Sequence, residues 1–94
     1  NPLDPFLLYA MTLEFLGGNN EFCLASFRKL LTEFPDYLPT YYQAAQLFAD
    51  CGYVEEARAT YEIGIEKTAL SKNTKALEEI KNAFNNFELE HDDQ

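Results

Sequence analysis

The stretch Tyr41-Tyr42-Gln43-Ala44-Ala45-Gln46-Leu47-Phe48-Ala49-Asp50-Cys51-Gly52, with Ala57 and Tyr61 beyond it, decides how this chain folds. Tyr41, Ala44, Ala45 and Phe48 recur at three- and four-residue spacing, the period of one helix face. Gly52 ends that helix, because glycine tolerates left-handed backbone angles. A second helix begins near Val54, with Glu55 and Glu56 placed favourably at its positive N-terminal end. Small side chains at Ala45, Ala57 and Gly64 let two helices approach closely. Large ones at Phe48 and Tyr61, and at Phe15 and Phe27 in the corresponding earlier positions, fill the spaces beside the small ones. The stretch predicts a tightly packed antiparallel helix pair.

The same grammar extends in both directions. Toward the N-terminus, Asp4 and Pro5 open a helix to about Leu16, since Asp accepts from free amides and Pro fits the first helical position. Gly17-Gly18-Asn19-Asn20 stops it. Asn20 is expected to cap a second helix over about Glu21–Glu33, whose apolar positions Cys23, Leu24, Phe27, Leu30, Leu31 and Phe34 keep the 3.6-residue period. Pro35-Asp36 ends it, and Pro39 opens the helix of the decisive stretch. The fourth helix is expected to reach Ala69, and Ser71-Lys72-Asn73 breaks the chain. The last helix is expected over Thr74–Phe87, on a stripe of Ala76, Leu77, Ile80, Ala83, Phe84 and Phe87. Asn85 and Asn86 are weak helix formers, so its end is expected to fray. Strand-type alternation is not sustained anywhere. The fold class is all-α, with five helices joined by short loops and hence antiparallel neighbours.

The chain also repeats itself. A shift of 34 superposes Pro5 on Pro39, Gly18 on Gly52, Ala25 on Ala59 and Phe27 on Tyr61, while a shift of 33 superposes Tyr9 on Tyr42 and Phe15 on Phe48. The first unit carries Leu8, Met11, Thr12 and Phe15, then Gly18, Cys23, Phe27 and Pro35. This pattern resembles the tetratricopeptide repeat, with its large, small and aromatic residues at fixed spacing in a helix hairpin. In particular it is similar to small bacterial proteins with two such repeats and a C-terminal capping helix. The second unit matches the pattern well. The first lacks a leading Trp or Tyr, has Met11 where Leu is usual, and Ala69 stands where the second unit would close on Pro. The expected organisation is one domain over residues 1–94. Repeat 1 spans 4–37, repeat 2 spans 38–71, a capping helix spans 72–88 and a flexible acidic tail spans 89–94.

Composition narrows the function. Sixteen acids against seven bases give a net charge of −9 over 94 residues. Such a surface repels phosphate backbones and anionic membranes, so neither nucleic acid nor membrane is an expected partner. Aromatic residues make up 15% of the chain, six Tyr and eight Phe, enough to drive compaction of a small domain. Cys23 and Cys51 form no metal motif and are expected as two buried, reduced thiols in the cytoplasm. The chain begins at Asn1 without an initiator Met, so the missing signal peptide excludes little. Ser26 and Ser71 have no His in a legible catalytic arrangement, and Gly17-Gly18 lacks the Lys-Ser/Thr of a phosphate loop. Glu55, Glu56, Glu62, Glu66, Glu78 and Glu79 read as solvated faces. Neither an enzyme, a metal site nor a cofactor is expected.

The resemblance implies a concave face lined by the first helix of each repeat. The partner-binding residues expected there are Phe6, Tyr9, Leu13 and Leu16 from repeat 1, and Tyr42, Gln43, Gln46 and Asp50 from repeat 2. Ala10 and Ala49 lie beside them, and Leu77 and Ile80 are expected to close the far end. The competing structural reading packs Tyr9, Leu13 and Leu16 against the capping helix or a neighbouring subunit. A known subset of these repeats grips acidic tails with Lys and Asn at face positions. Here those positions hold Tyr9, Leu13, Tyr42, Gln43 and Gln46, without a base. The expected function is therefore a non-catalytic module that binds a protein or peptide segment of apolar or basic character. The alternative is a self-associating scaffold element that forms a homodimer.

Overall fold

The computed structural model describes residues 4–91, which form five helices and no strand: α1 (Pro5–Glu14), α2 (Asn20–Glu33), α3 (Pro39–Asp50), α4 (Val54–Ser71) and α5 (Thr74–His91). The all-α expectation holds. No helix among the described residues is long and apolar enough to cross a membrane. The helices fall into two compact units, one reaching to Thr40 and one starting at Tyr41.

In the first unit, the Asp4 carboxylate accepts from the Phe6 amide at 2.9 Å and starts α1. The start of α2 differs from expectation by one residue. Asn19, not Asn20, is the cap, and its side-chain oxygen accepts from the Phe22 amide at 3.0 Å. Two adjacent asparagines can each serve as a cap, and the first of them does. The two helices meet through small residues. Thr12 and Cys23 are both fully buried, and the Cys23 thiol donates to the Thr12 carbonyl at 3.5 Å. Thr12 satisfies its own hydroxyl by donating to the Leu8 carbonyl at 2.7 Å. Phe27 and Leu30 complete the buried face of α2.

Phe15 departs from the expectation that it fills the interhelical space. α1 stops at Glu14, so Phe15 lies just outside the helix, 47% exposed, with its ring edge-to-face on Phe22 at 5.0 Å. Its repeat counterpart Phe48 sits within α3 and is wholly buried. The 33-residue register is real at the level of residue type, but α1 ends earlier than α3 relative to it. That shortening carries Phe15 out of the packed layer.

In the second unit, Gly52 ends α3 as the sequence implies. It adopts φ +91°, its amide donates to the Ala49 carbonyl at 3.1 Å, and the Tyr53 amide donates to the Phe48 carbonyl at 2.8 Å. These paired bonds satisfy carbonyls that the helix end would leave open. Ala44, Ala45, Phe48 and Ala57 are fully buried. Gly64 marks a close approach: a Cβ there would lie 2.6 Å from Tyr41 Cβ and 2.8 Å from Ile80 Cδ1. α4 runs two residues beyond Ala69, as the missing Pro permits, and ends at Lys72 in the left-handed region.

α5 corrects two expectations. It does not fray at Phe87, and residues 89–91 are helical rather than a flexible tail; residues 92–94 of that expected tail lie outside the described residues. Tertiary contacts outweigh the poor propensity of Asn85 and Asn86. Phe87 is buried, its ring lies 5.4 Å from Tyr61 and 4.7 Å from His91, and the Arg58 guanidinium sits over it at 5.2 Å. Arg58 also pairs with Glu88 at 2.8 Å. Both cysteines are thiols; Cys23 is buried as expected, but Cys51, at the end of α3, is only half-buried.

Candidate functional site

Three helices of the second unit enclose a cleft of about 320 Å³. From α3 come Tyr42, Gln46, Ala49 and Asp50, spaced so that one helix face supplies them all. α4 supplies Tyr61. α5 supplies Glu79, Asn82, Ala83, Asn86, Phe87 and Glu90, again on one face. Each side chain therefore projects from a regular helix. Such positioning is more rigid than a loop's.

The chemistry is uniform in sign. Asp50, Glu79 and Glu90 are carboxylates, Gln46, Asn82 and Asn86 are amides, and no lining residue carries positive charge. Tyr61, Ala83 and Phe87 are the buried members of this lining; Tyr61 is 2% exposed, with its ring packed on Phe84 and Phe87 at 5.5 and 5.4 Å. Burial, reinforced by Tyr42, Asp50 and Glu90, pushes its phenol up to about 12. That shift has a measurable consequence. Below pH 10 the folded and unfolded chains both hold this proton. Between 10 and about 12 the unfolded chain releases it first, so stability falls as pH rises through that window. Comparing urea unfolding of wild type and Tyr61→Phe across the window isolates that loss. The variant should lack this part of the alkaline loss, and parallel curves would show that the phenol is not shielded.

The residues expected to bind a partner are thus divided. Tyr42, Gln46 and Asp50 converge on the cleft, with Ala49 beside them. Gln43 is half-buried on the same helix but does not line it. In the first unit Phe6 is 59% and Leu16 36% exposed, while Leu13 and Ala10 are half-buried. Tyr9 packs edge-to-face on Tyr37 at 5.6 Å; burial and the neighbouring Tyr37 raise its phenol above its ordinary range. The residues expected to close the far end do not line the cleft. Ile80 is buried where it faces Gly64, and Leu77 is half-buried.

Sequence reasoning missed most of the α5 wall. Glu79 read as a solvated face, Asn86 only as a poor helix former, and Glu90 as tail. Their signal is a polar stripe, Glu79, Asn82, Asn86 and Glu90, running at helical spacing beside the apolar stripe. Tyr61 was legible as a packing residue but not as part of the cleft, since only the geometry turns its polar end toward Asp50 and Glu90.

No protein-family model and no curated protein matches the chain. Solved structures do. A solution structure of a tetratricopeptide repeat domain protein from Salinibacter ruber is 35% identical, with a TM-score of 0.85, over 94% of this chain and 90% of that one. A crystal structure of a tetratricopeptide repeat domain protein from the same organism is 34% identical, with a TM-score of 0.86, over 92% and 97% of the two chains. Identity at this level over nearly the whole of each chain, together with the small-against-large packing at Thr12, Cys23, Ala57 and Gly64, places the protein: it belongs to the tetratricopeptide repeat family.

Proposed function

We propose that the protein is a non-catalytic interaction module that docks a protein or peptide segment in the cleft between α3, α4 and α5. Repeat hairpins of this family commonly present such surfaces for protein partners. The observation that carries the reading is the cleft itself: tyrosines and amides able to pair with a peptide backbone, set on three rigid helices, with carboxylates and no base. The partner it suits is apolar or basic. Hairpins over 4–37 and 38–71, followed by α5 as a cap, give the organisation we assign, and the thiols of Cys23 and Cys51 suit a reducing, cytoplasmic setting.

A displayed random-peptide library, selected on the full chain, tests the proposal. Selected peptides should perturb NMR resonances of Tyr42, Gln46 and Asn86, and replacing Tyr42 and Gln46 with Ala should weaken binding about tenfold. Selection of acidic peptides whose binding falls as salt rises would remove it, as would binding mapped away from the cleft.

Self-association is favoured by a separate observation. α1 leaves Phe6, Leu7 and Met11 more than half exposed, and Phe15 and Leu16 beside them are exposed too. Light scattering decides this reading. Concentration-dependent dimers lost on Leu13→Glu or Tyr9→Ala support it, and a monomer at high concentration removes it.

A further inference from the structure

We infer that the cleft seats the guanidinium of an arginine presented by the partner segment, with Asp50, Glu79 and Glu90 as countercharge and the Tyr61 hydroxyl as an acceptor. The inference rests on the docking reading above and makes it specific.

Two independent observations point to such an occupant. The first is charge: three carboxylates face one cleft from two helices, and no lining residue neutralises them. The second is Tyr61. It is 2% exposed, it lines the cleft, and its hydroxyl makes no hydrogen bond among the described residues. The residue is packed away while its hydroxyl stands open to the cleft, so a ligand donor can reach it. Its raised phenol pKa reports the same surroundings, since burial and the nearby Tyr42, Asp50 and Glu90 all disfavour further negative charge there. A cation relieves that condition.

Geometry selects the kind of cation. No group of three His, Cys, Asp or Glu among the described residues is spaced to hold a metal ion, so the carboxylates are too dispersed for one small ion. Guanidinium is planar, offers five donors in a fixed fork, and stacks on aromatic rings. It can address several separated acceptors at once, including the side-chain carbonyls of Asn82 and Asn86. Ammonium is a compact point charge and cannot. The chain already uses this chemistry beside the cleft, where the Arg58 guanidinium lies over Phe87 at 5.2 Å and pairs with Glu88 at 2.8 Å.

Titration of the full chain with N-acetylargininamide at constant ionic strength, followed by heteronuclear NMR, tests the inference. The side-chain amides of Gln46, Asn82 and Asn86 should shift saturably. The uncharged citrulline counterpart should leave them in place, and the lysine counterpart should bind more weakly. The double variant Asp50→Asn, Glu90→Gln should weaken the arginine probe about tenfold, and Tyr61→Phe, which keeps the ring, about threefold. Both variants should retain the dispersed spectrum of the folded protein. The inference falls if citrulline binds as well as arginine, if lysine equals it, or if the double variant binds unchanged. Uncharged library peptides that still map to the cleft would leave the docking reading standing without this one. Library peptides that map elsewhere, with no response to the arginine probe, would overturn both.

Discussion

Replacing Phe48 with Ala should lower stability by about 3–5 kcal/mol. Phe48 is completely buried inside α3, beside the fully buried Ala44 and Ala45. Removing its ring takes away apolar burial and leaves a hole, because helices already in contact at small residues cannot close over it. A domain of this size has only about 5–10 kcal/mol in total, so the variant should melt at least 12 °C lower, at roughly 4–8 °C per kcal/mol. Phe15→Ala is the internal control. It removes the same side chain from the matched position of the first repeat, where Phe15 is 47% exposed. Its cost should stay below about 1.5 kcal/mol, the lost aromatic pairing with Phe22 included. Thermal melts by circular dichroism that give the two variants similar losses would refute the packing described for α1 and α3.

Gly64→Ala should also destabilise, by about 1–3 kcal/mol, although alanine is the better helix former by about 1 kcal/mol. The added Cβ would lie 2.6 Å from Tyr41 Cβ and 2.8 Å from Ile80 Cδ1. Tyr41 Cβ is fixed to its backbone, so it cannot yield as a flexible side-chain end does, and α3 must move away from α4. Ala57→Leu should cost about as much for a related reason, since Ala57 has no exposed surface and its side chain would gain three carbon atoms. Urea unfolding checks both. A Gly64→Ala protein as stable as wild type would mean that α3 and α4 stand farther apart than described.

These two sites show why the fold was legible. A small residue opposite a large one is a statement about interhelical distance. Pro5, Pro39, Gly52 and Pro35 punctuate the helices by backbone sterics that tertiary context rarely overrides. What escaped was set by context. Asn85 and Asn86 argue locally for fraying, but Phe87 behind them is held by Tyr61 and Arg58, so α5 continues to His91. Phe15 has the right residue type at the right register, yet the earlier end of α1 exposes it. The candidate site was half legible. Tyr42, Gln46 and Asp50 follow from repeat position, whereas the stripe from Glu79 to Glu90 looks like any water-facing helix surface until its neighbours are in place.

The Arg58 contacts bear on how the molecule would respond to trimming. Arg58 holds the last turns of α5 through Glu88 and Phe87, and the same turns carry Asn86 and Glu90 of the cleft wall. Carboxypeptidase digestion should therefore slow on reaching the turns that Arg58 holds. A product cut back past Glu88 would keep most of its helix signal while losing one side of the docking surface, so binding would disappear well before ellipticity does.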